Sequence, residues 1–302
     1  MELLFSGYFS SVTAGYFSSV TPRYSVTLRY RINMQSQNDS HAKYDYMSAN
    51  TVSVIMPTYN RPERLQRALT HLQAQHDPDW EALVVDDGDG RGYDMALSLR
   101  DVGDERIRAF RNTGKQQVDA RNTAIVQASG SIIAWLDDDD WWEHPDHVAL
   151  LKQTLQEPGL AHVHGWVVRE HAEVDDNPRE TREVFNLPAT ADSLQQDNTL
   201  LTSSIAYPKT FHQELGLLDR SLNGYFDWDW IVRVLAAGYP LKTIDILSVC
   251  YLMHGNNGSA QVHNPRRVRD FTAFRDKHNL DIIIKSHDAV LQENHPATAT
   301  PN

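Results

Sequence analysis

Four short apolar runs, at 52–56, 82–85, 107–110 and 132–136, most constrain what this chain can fold into. They are dominated by apolar residues, interrupted only by Ser53 and Arg108, as expected of largely buried strands. Between them lie stretches with helical spacing. Pro62 suits a first helical turn, and Leu65, Ala68, Leu69 and Leu72 keep the period through Gln75. Further helices are predicted over 94–100 and 118–128, with Gly130 stopping the latter. Another opens at Pro145, with Val148, Leu150, Leu151 and Leu155 as its core positions. Strands alternating with helices at this spacing imply an α/β fold, with a mainly parallel sheet covered by helices on both faces. Such sheets bind ligands beyond the carboxyl ends of their strands. Tyr59, Asp87 and the run Asp137, Asp138, Asp139 and Asp140 all stand at such ends.

The second half is less regular and reads as a smaller α+β half. Strands are expected over 161–168 and 241–251, helices over 227–237 and 265–278, and an exposed loop or edge hairpin over 170–183. His254 opens a segment rich in glycine and asparagine that reads as a mobile loop. The tail after about Ala289 lacks a pattern and is expected to be disordered. At the other end, Gly7-Tyr8-Phe9-Ser10-Ser11-Val12-Thr13 recurs as Gly15-Tyr16-Phe17-Ser18-Ser19-Val20-Thr21, too short an array for a solenoid. It reads as an appendage, with Met34 or Met47 as alternative starts, or as a docking segment. The expected organisation is a poorly ordered 1–50, a main domain over 51–285 divided at 157/158, and a tail over 286–302.

A formal net charge of −12 argues against nucleic-acid binding, which needs a basic face. It leaves a local nucleotide pocket open, because a bound cation inverts the local sign. The single cysteine, Cys250, excludes an intramolecular disulfide and fits a reducing compartment. With no signal-peptide pattern and no long apolar stretch, the expectation is a cytoplasmic protein, with peripheral contact at the inner membrane face left open.

Four adjacent carboxylates at a strand end repel one another unless a cation is present. Hard divalent ions such as Mg²⁺ or Mn²⁺ join protein carboxylates to substrate phosphates. In an extended chain Asp137 and Asp139 face one way and Asp138 and Asp140 the other. The alternative is an acidic surface turn ahead of a helix. The apolar strand before the run and Trp141-Trp142 after it frame the aspartates as a solvated charge run is not normally framed.

The order and spacing of Val52-Ser53-Val54-Ile55-Met56-Pro57-Thr58-Tyr59-Asn60-Arg61, Val84-Val85-Asp86-Asp87-Gly88, Ala120-Arg121-Asn122 and Trp135-Leu136-Asp137-Asp138-Asp139-Asp140 resemble family 2 glycosyltransferases of the GT-A fold. The resemblance covers 51–251. It implies a nucleotide-diphospho-sugar donor, UDP-linked by default with GDP and dTDP open, and Mn²⁺ or Mg²⁺. Pro57, Thr58 and Tyr59 then match the loop against the donor's base, Asp87 the acceptor of a base N–H, and Arg121 a basic residue near the nucleotide. Asp138 matches the ribose contact and Asp139 the metal ligand, with Asp137 as a further acidic member whose register stays open. His254 matches a late histidine that approaches the metal or diphosphate. One residue more than usual separates the aspartates from Pro145.

Residues 217–230 resemble the family's acceptor-side motif, in which Asp227 matches the general base of inverting members. A hydroxyl is a poor nucleophile until a carboxylate takes its proton. Phe226 stands where the family usually has Glu, and Asp229 reads as structural, satisfying buried backbone groups. The implied partners are the donor and a glycan or lipid-linked sugar acceptor. One rival reading is a nucleotidylyltransferase, which would need a glycine-rich loop after the first strand, where this chain has none. The other is a non-catalytic nucleotide-sugar-binding scaffold, supported by Phe226 alone.

Overall fold

The computed structural model describes residues 50–174, 177–254 and 262–294. The N-terminal repeat, the segment just after His254 and the last residues of the tail lie outside them. The sheet is organised around β1 (Val52–Thr58), which pairs in parallel with β2 (Trp80–Asp86) and β4 (Ile132–Trp135). β2 pairs in turn with β3 (Ile107–Arg111). The connections are α1 (Pro62–Gln73), α2 (Arg91–Asp101) and α3 (Gln117–Gln127). β1, β2 and β4 are buried on both faces because the pleat sends neighbours into different layers, while β3 at the sheet edge is partly exposed. Val54 and Met56 pack with Leu65, Leu69 and Leu72 of α1, whereas Ile55 packs with Val118, Ala124 and Ile125 of α3.

β1 runs through Pro57, which was expected to end it. Gly130 does not stop α3, which closes earlier. The glycine is needed because a Cβ there would stand 2.3 Å from the Thr51 carbonyl oxygen. The helix expected at Pro145 begins two residues later, as α4 (His147–Thr154), and Trp141–Trp142 ahead of it forms a two-residue strand, β5.

Beyond β4 the sheet becomes mixed. β6 (Leu160–Val174) is antiparallel to β7 (Asn177–Phe185) and β8 (Ile205–Pro208) and parallel to β9 (Leu241–Met253). The strand order is β3-β2-β1-β4-β8-β6-β9-β5, with β7 beside β6. The charged stretch at 170–183 is thus the β6–β7 hairpin. The helices of this half are α5 (Phe211–Leu215), α6 (Phe226–Ala236), α7 (Pro265–His278) and α8 (His287–Asn294). α8 occupies the start of the tail expected to be disordered. Val290 and Leu291 give it an anchor in the main core. α6 and α7 are joined through Asp229, which is fully buried and pairs with Arg233 (2.9 Å), Lys277 (2.7 Å) and His278 (2.8 Å). Its partners are therefore side chains rather than the expected backbone groups.

Candidate active site

The aspartate run leaves β4 through Leu136, whose amide still bonds Ile55 O at 3.1 Å, and then turns, with the Asp140 amide donating to Asp137 O at 3.2 Å. Despite the turn, the aspartates divide by parity. Asp137 and Asp139 line an open cleft of about 390 Å³, Asp139 being itself largely buried, while Asp138 and Asp140 are buried away from it. Asp140 is fixed by Ser203 Oγ at 2.5 Å and the Leu252 amide of β9 at 2.9 Å. Burial, then the charges of Asp139 and Asp137, push its proton affinity well above the ordinary carboxylate range. Asp138 accepts from Thr58 Oγ1 at 2.7 Å and more weakly from the Tyr59 amide at 3.4 Å, and pairs with Arg61 at 2.7 Å. Burial raises its pKa to about 7 against the opposing charge of Arg61.

Asp139 behaves differently. Burial alone would raise its pKa, but the hydrogen bond from His254 and the charge of Arg61 outweigh it and hold the carboxyl below its usual value. His254 Nε2 lies 3.0 Å from Asp139 Oδ2, Arg61 contacts the same oxygen, and Arg64 stands 3.7 Å away. Asp137 pairs with Arg121, and its amide donates to Ser203 Oγ at 3.0 Å. Arg121 is not a surface residue: it is 1 % exposed, donates to Gln117 Oε1 at 3.1 Å and lies 4.2 Å above the Phe226 ring. Its charge reaches the cleft through Asp137.

On the neighbouring strand ends, Tyr59 is 59 % exposed, so it does not cap the core. Pro57 is half-buried and Thr58 buried. The Asp87 amide donates to the Thr58 carbonyl at 2.9 Å, and its carboxylate accepts from Asn112 Nδ2 at 2.6 Å. Asn60, at φ 55°, turns the chain and receives the Asp89 amide at 2.7 Å. Asp86, beside Asp87, is structural: it accepts from the Gly88 amide at 2.7 Å and the Tyr93 amide of α2 at 2.9 Å.

Asp227, in the first turn of α6, lines the same cleft as Asp137, Asp139 and His254. Its Oδ2 accepts from Thr202 Oγ1 at 3.1 Å and Asn198 Nδ2 at 3.2 Å. Burial raises its proton affinity, opposed by the Trp228 amide and by Thr202. Asn198, Thr202 and Arg61 had not been singled out from the sequence. Arg61 lies within the first motif, whereas Asn198 and Thr202 sit in a polar connection that carries no motif. Phe226 is buried against Trp135 and Arg121, so a packing role accounts for the residue found where Glu was expected.

Among the described residues, no group of three or more His, Cys, Asp or Glu is arranged to hold a metal by itself. Asp139 and His254, 3.0 Å apart, are the two groups of the cleft with the spacing of a ligand pair, and Arg61 contacts the same Asp139 oxygen. Two ligands at right angles, each ~2.1 Å from an octahedral ion, lie ~3 Å apart, and such ions commonly take one or two protein ligands together with substrate phosphates.

Residues 53–215 match the family described as glycosyl transferase family 2. The chain is similar to YwdF of Bacillus subtilis (strain 168), described as an uncharacterized glycosyltransferase, at 26% identity over 80% of this chain and 89% of the relative. It is similar at 37% identity, over 30% of this chain and 36% of the relative, to WfgD of Escherichia coli, a UDP-Glc:alpha-D-GlcNAc-diphosphoundecaprenol beta-1,3-glucosyltransferase. Among solved structures it is similar in fold to the mannosyltransferase PcManGT of Pyrobaculum calidifontis, in complex with GDP-Man and Mn²⁺, with a TM-score of 0.55 and 19% identity. That match covers 76% of this chain and 64% of that one. The chain belongs to glycosyl transferase family 2 and is a glycosyltransferase on the GT-A fold.

Proposed function

We propose that the protein moves a sugar from a nucleotide-diphospho-sugar, preferentially UDP-linked, to a hydroxyl of a glycan or lipid-linked acceptor, with inversion at the anomeric carbon. The observation that carries this reading is one cleft with Asp139 and His254 on one side and Asp227 on the other. Tyr59 and Pro57 offer a surface to the base, Asp87 an acceptor for its N–H, and Asp138 a carboxylate to the ribose. Asp139 and His254, with Asp137 nearby, would hold Mn²⁺ or Mg²⁺, which supplies positive charge to the diphosphate as it leaves. Arg121 orients Asp137 from below. Asp227 takes the proton of the acceptor hydroxyl as its oxygen bonds to the anomeric carbon and the bond to the diphosphate breaks. Its raised proton affinity suits that task, and Asn198 and Thr202 fix one oxygen so that the other can face the acceptor.

The donor bound to PcManGT and the UDP-Glc in the name of WfgD support a nucleotide sugar and leave the base to experiment. Thermal shift with UDP, GDP and dTDP, with and without Mn²⁺, tests the donor wall. Stabilisation by UDP with Mn²⁺ is expected, and Asp139→Ala should abolish both it and the slow release of UDP from UDP-sugars. Failure of every nucleotide to stabilise the protein would sink the reading.

A further inference from the structure

The cleft has a second wall, on α7 and the 280–286 connection, whose chemistry the transfer does not use. The protein carries a formal net charge of −12, yet Arg266, Arg267 and Lys285 converge on this wall. The acidic groups beside them are engaged. Asp197 pairs with Lys285 at 2.9 Å, and Asp270 receives the Gly224 amide at 3.0 Å. Lys285 is further matched by Glu293 at 2.7 Å. Arg267 donates to Tyr225 Oη at 3.1 Å and to the Lys285 carbonyl at 2.6 Å, which ties α7 to the connection. Arg266 is exposed, and its guanidinium has no carboxylate partner among the described residues.

Beside these cations stands Ile283, also on the cleft lining and 72 % exposed, although its neighbour Ile282 is buried. An unmatched guanidinium together with an exposed aliphatic side chain, at the mouth of a reaction cleft, suits an anion that carries an apolar chain.

We propose that this wall is a subsite for a phosphate on the acceptor, with Arg266 meeting the phosphate oxygens, Arg267 bracing them and Ile283 touching the hydrocarbon attached to the phosphate. The proposal rests on the reading that Asp227 faces the acceptor, and it names that acceptor as a phosphorylated sugar carried on an apolar chain. Guanidinium is suited to this contact because its planar donors match phosphate oxygens in pairs. The subsite is separate from the donor's diphosphate, which belongs with Asp139 and His254.

Binding of geranyl phosphate and of inorganic phosphate to the full chain, without metal, tests it by calorimetry. Vesicles of phosphatidylglycerol form a third arm. Geranyl phosphate is expected to bind, with a dissociation constant roughly tenfold higher or more in Arg266→Glu. Ile283→Ser should weaken geranyl phosphate and leave inorganic phosphate unchanged. Equal binding by wild type and Arg266→Glu, no binding of either phosphate, or binding of vesicles alone would each overturn the subsite. UDP binding with Mn²⁺, measured on the same proteins, separates the two ideas. Its absence in the wild type defeats the donor reading, whereas its persistence in Arg266→Glu beside lost geranyl phosphate supports the subsite.

Discussion

The two walls of the cleft are built on different terms. On the donor side, charge is cancelled at short range by groups on or beside the sheet: Thr58 of β1 and Arg61 just ahead of α1 hold Asp138, Leu252 of β9 holds Asp140, and His254 just past β9 meets Asp139. On the acceptor side, Asp227 begins a helix, but its partners Asn198 and Thr202 come from the connection between β7 and β8. On the proposed reading, the donor would meet the edge of a parallel sheet and the acceptor a connecting segment, where loops commonly carry specificity.

The sharpest way to break this contrast is Asp227→Asn. It should lower kcat by about 10² to 10⁴ while UDP binding persists, because only the proton acceptor is lost. Comparable activity in Asp227→Asn would remove the acceptor wall from the chemistry. A smaller effect is expected from Thr202→Val. The Thr202 bond favours ionised Asp227, so its loss raises the proton affinity and moves the acid limb of the kcat profile to higher pH. Thr202→Ser should restore the limb, and an unmoved limb in Thr202→Val would show that the bond does not tune the base.

The mildest test concerns stability. Burial holds His147 neutral down to about pH 3, and His162 and His212 down to about 4. In the unfolded chain each binds a proton near pH 6.5. Stability should therefore fall progressively as pH drops through about 6.5 toward those folded values. All three contact the mixed part of the sheet, through Ser248, Thr243 and Tyr207. Hydrogen exchange at pH 5 against pH 7 should thus show that part opening before β1, β2 and β3. Equal protection across the sheet would contradict the assignment.

Much of this was readable from sequence where the signal is local. The extent of α7 follows from Pro265 and its helical period, and the parallel strands announce themselves as short runs dominated by apolar residues. Their ends extend further than those runs because backbone pairing continues through Pro57 and Asp86. What could not be read depends on partners far along the chain. β5 exists only because Trp141 and Trp142 meet Cys250 and Val249. For Arg121, nothing in its own helix reveals the Phe226 ring beneath it. Asn198 and Thr202 have ordinary loop identities, and only the folded chain sets them against Asp227.

The same short β5 fixes the length of the aspartate run. The run is a span moored at both ends, by β4 before it and β5 after it. The two indoles at the far mooring face opposite ways: Trp141 meets Arg67 and His71, while Trp142 stacks on His147 and donates to the Ser203 carbonyl. Removing or adding one residue would turn each indole toward the other's surroundings. Four is thus a measured distance as well as a number of charges.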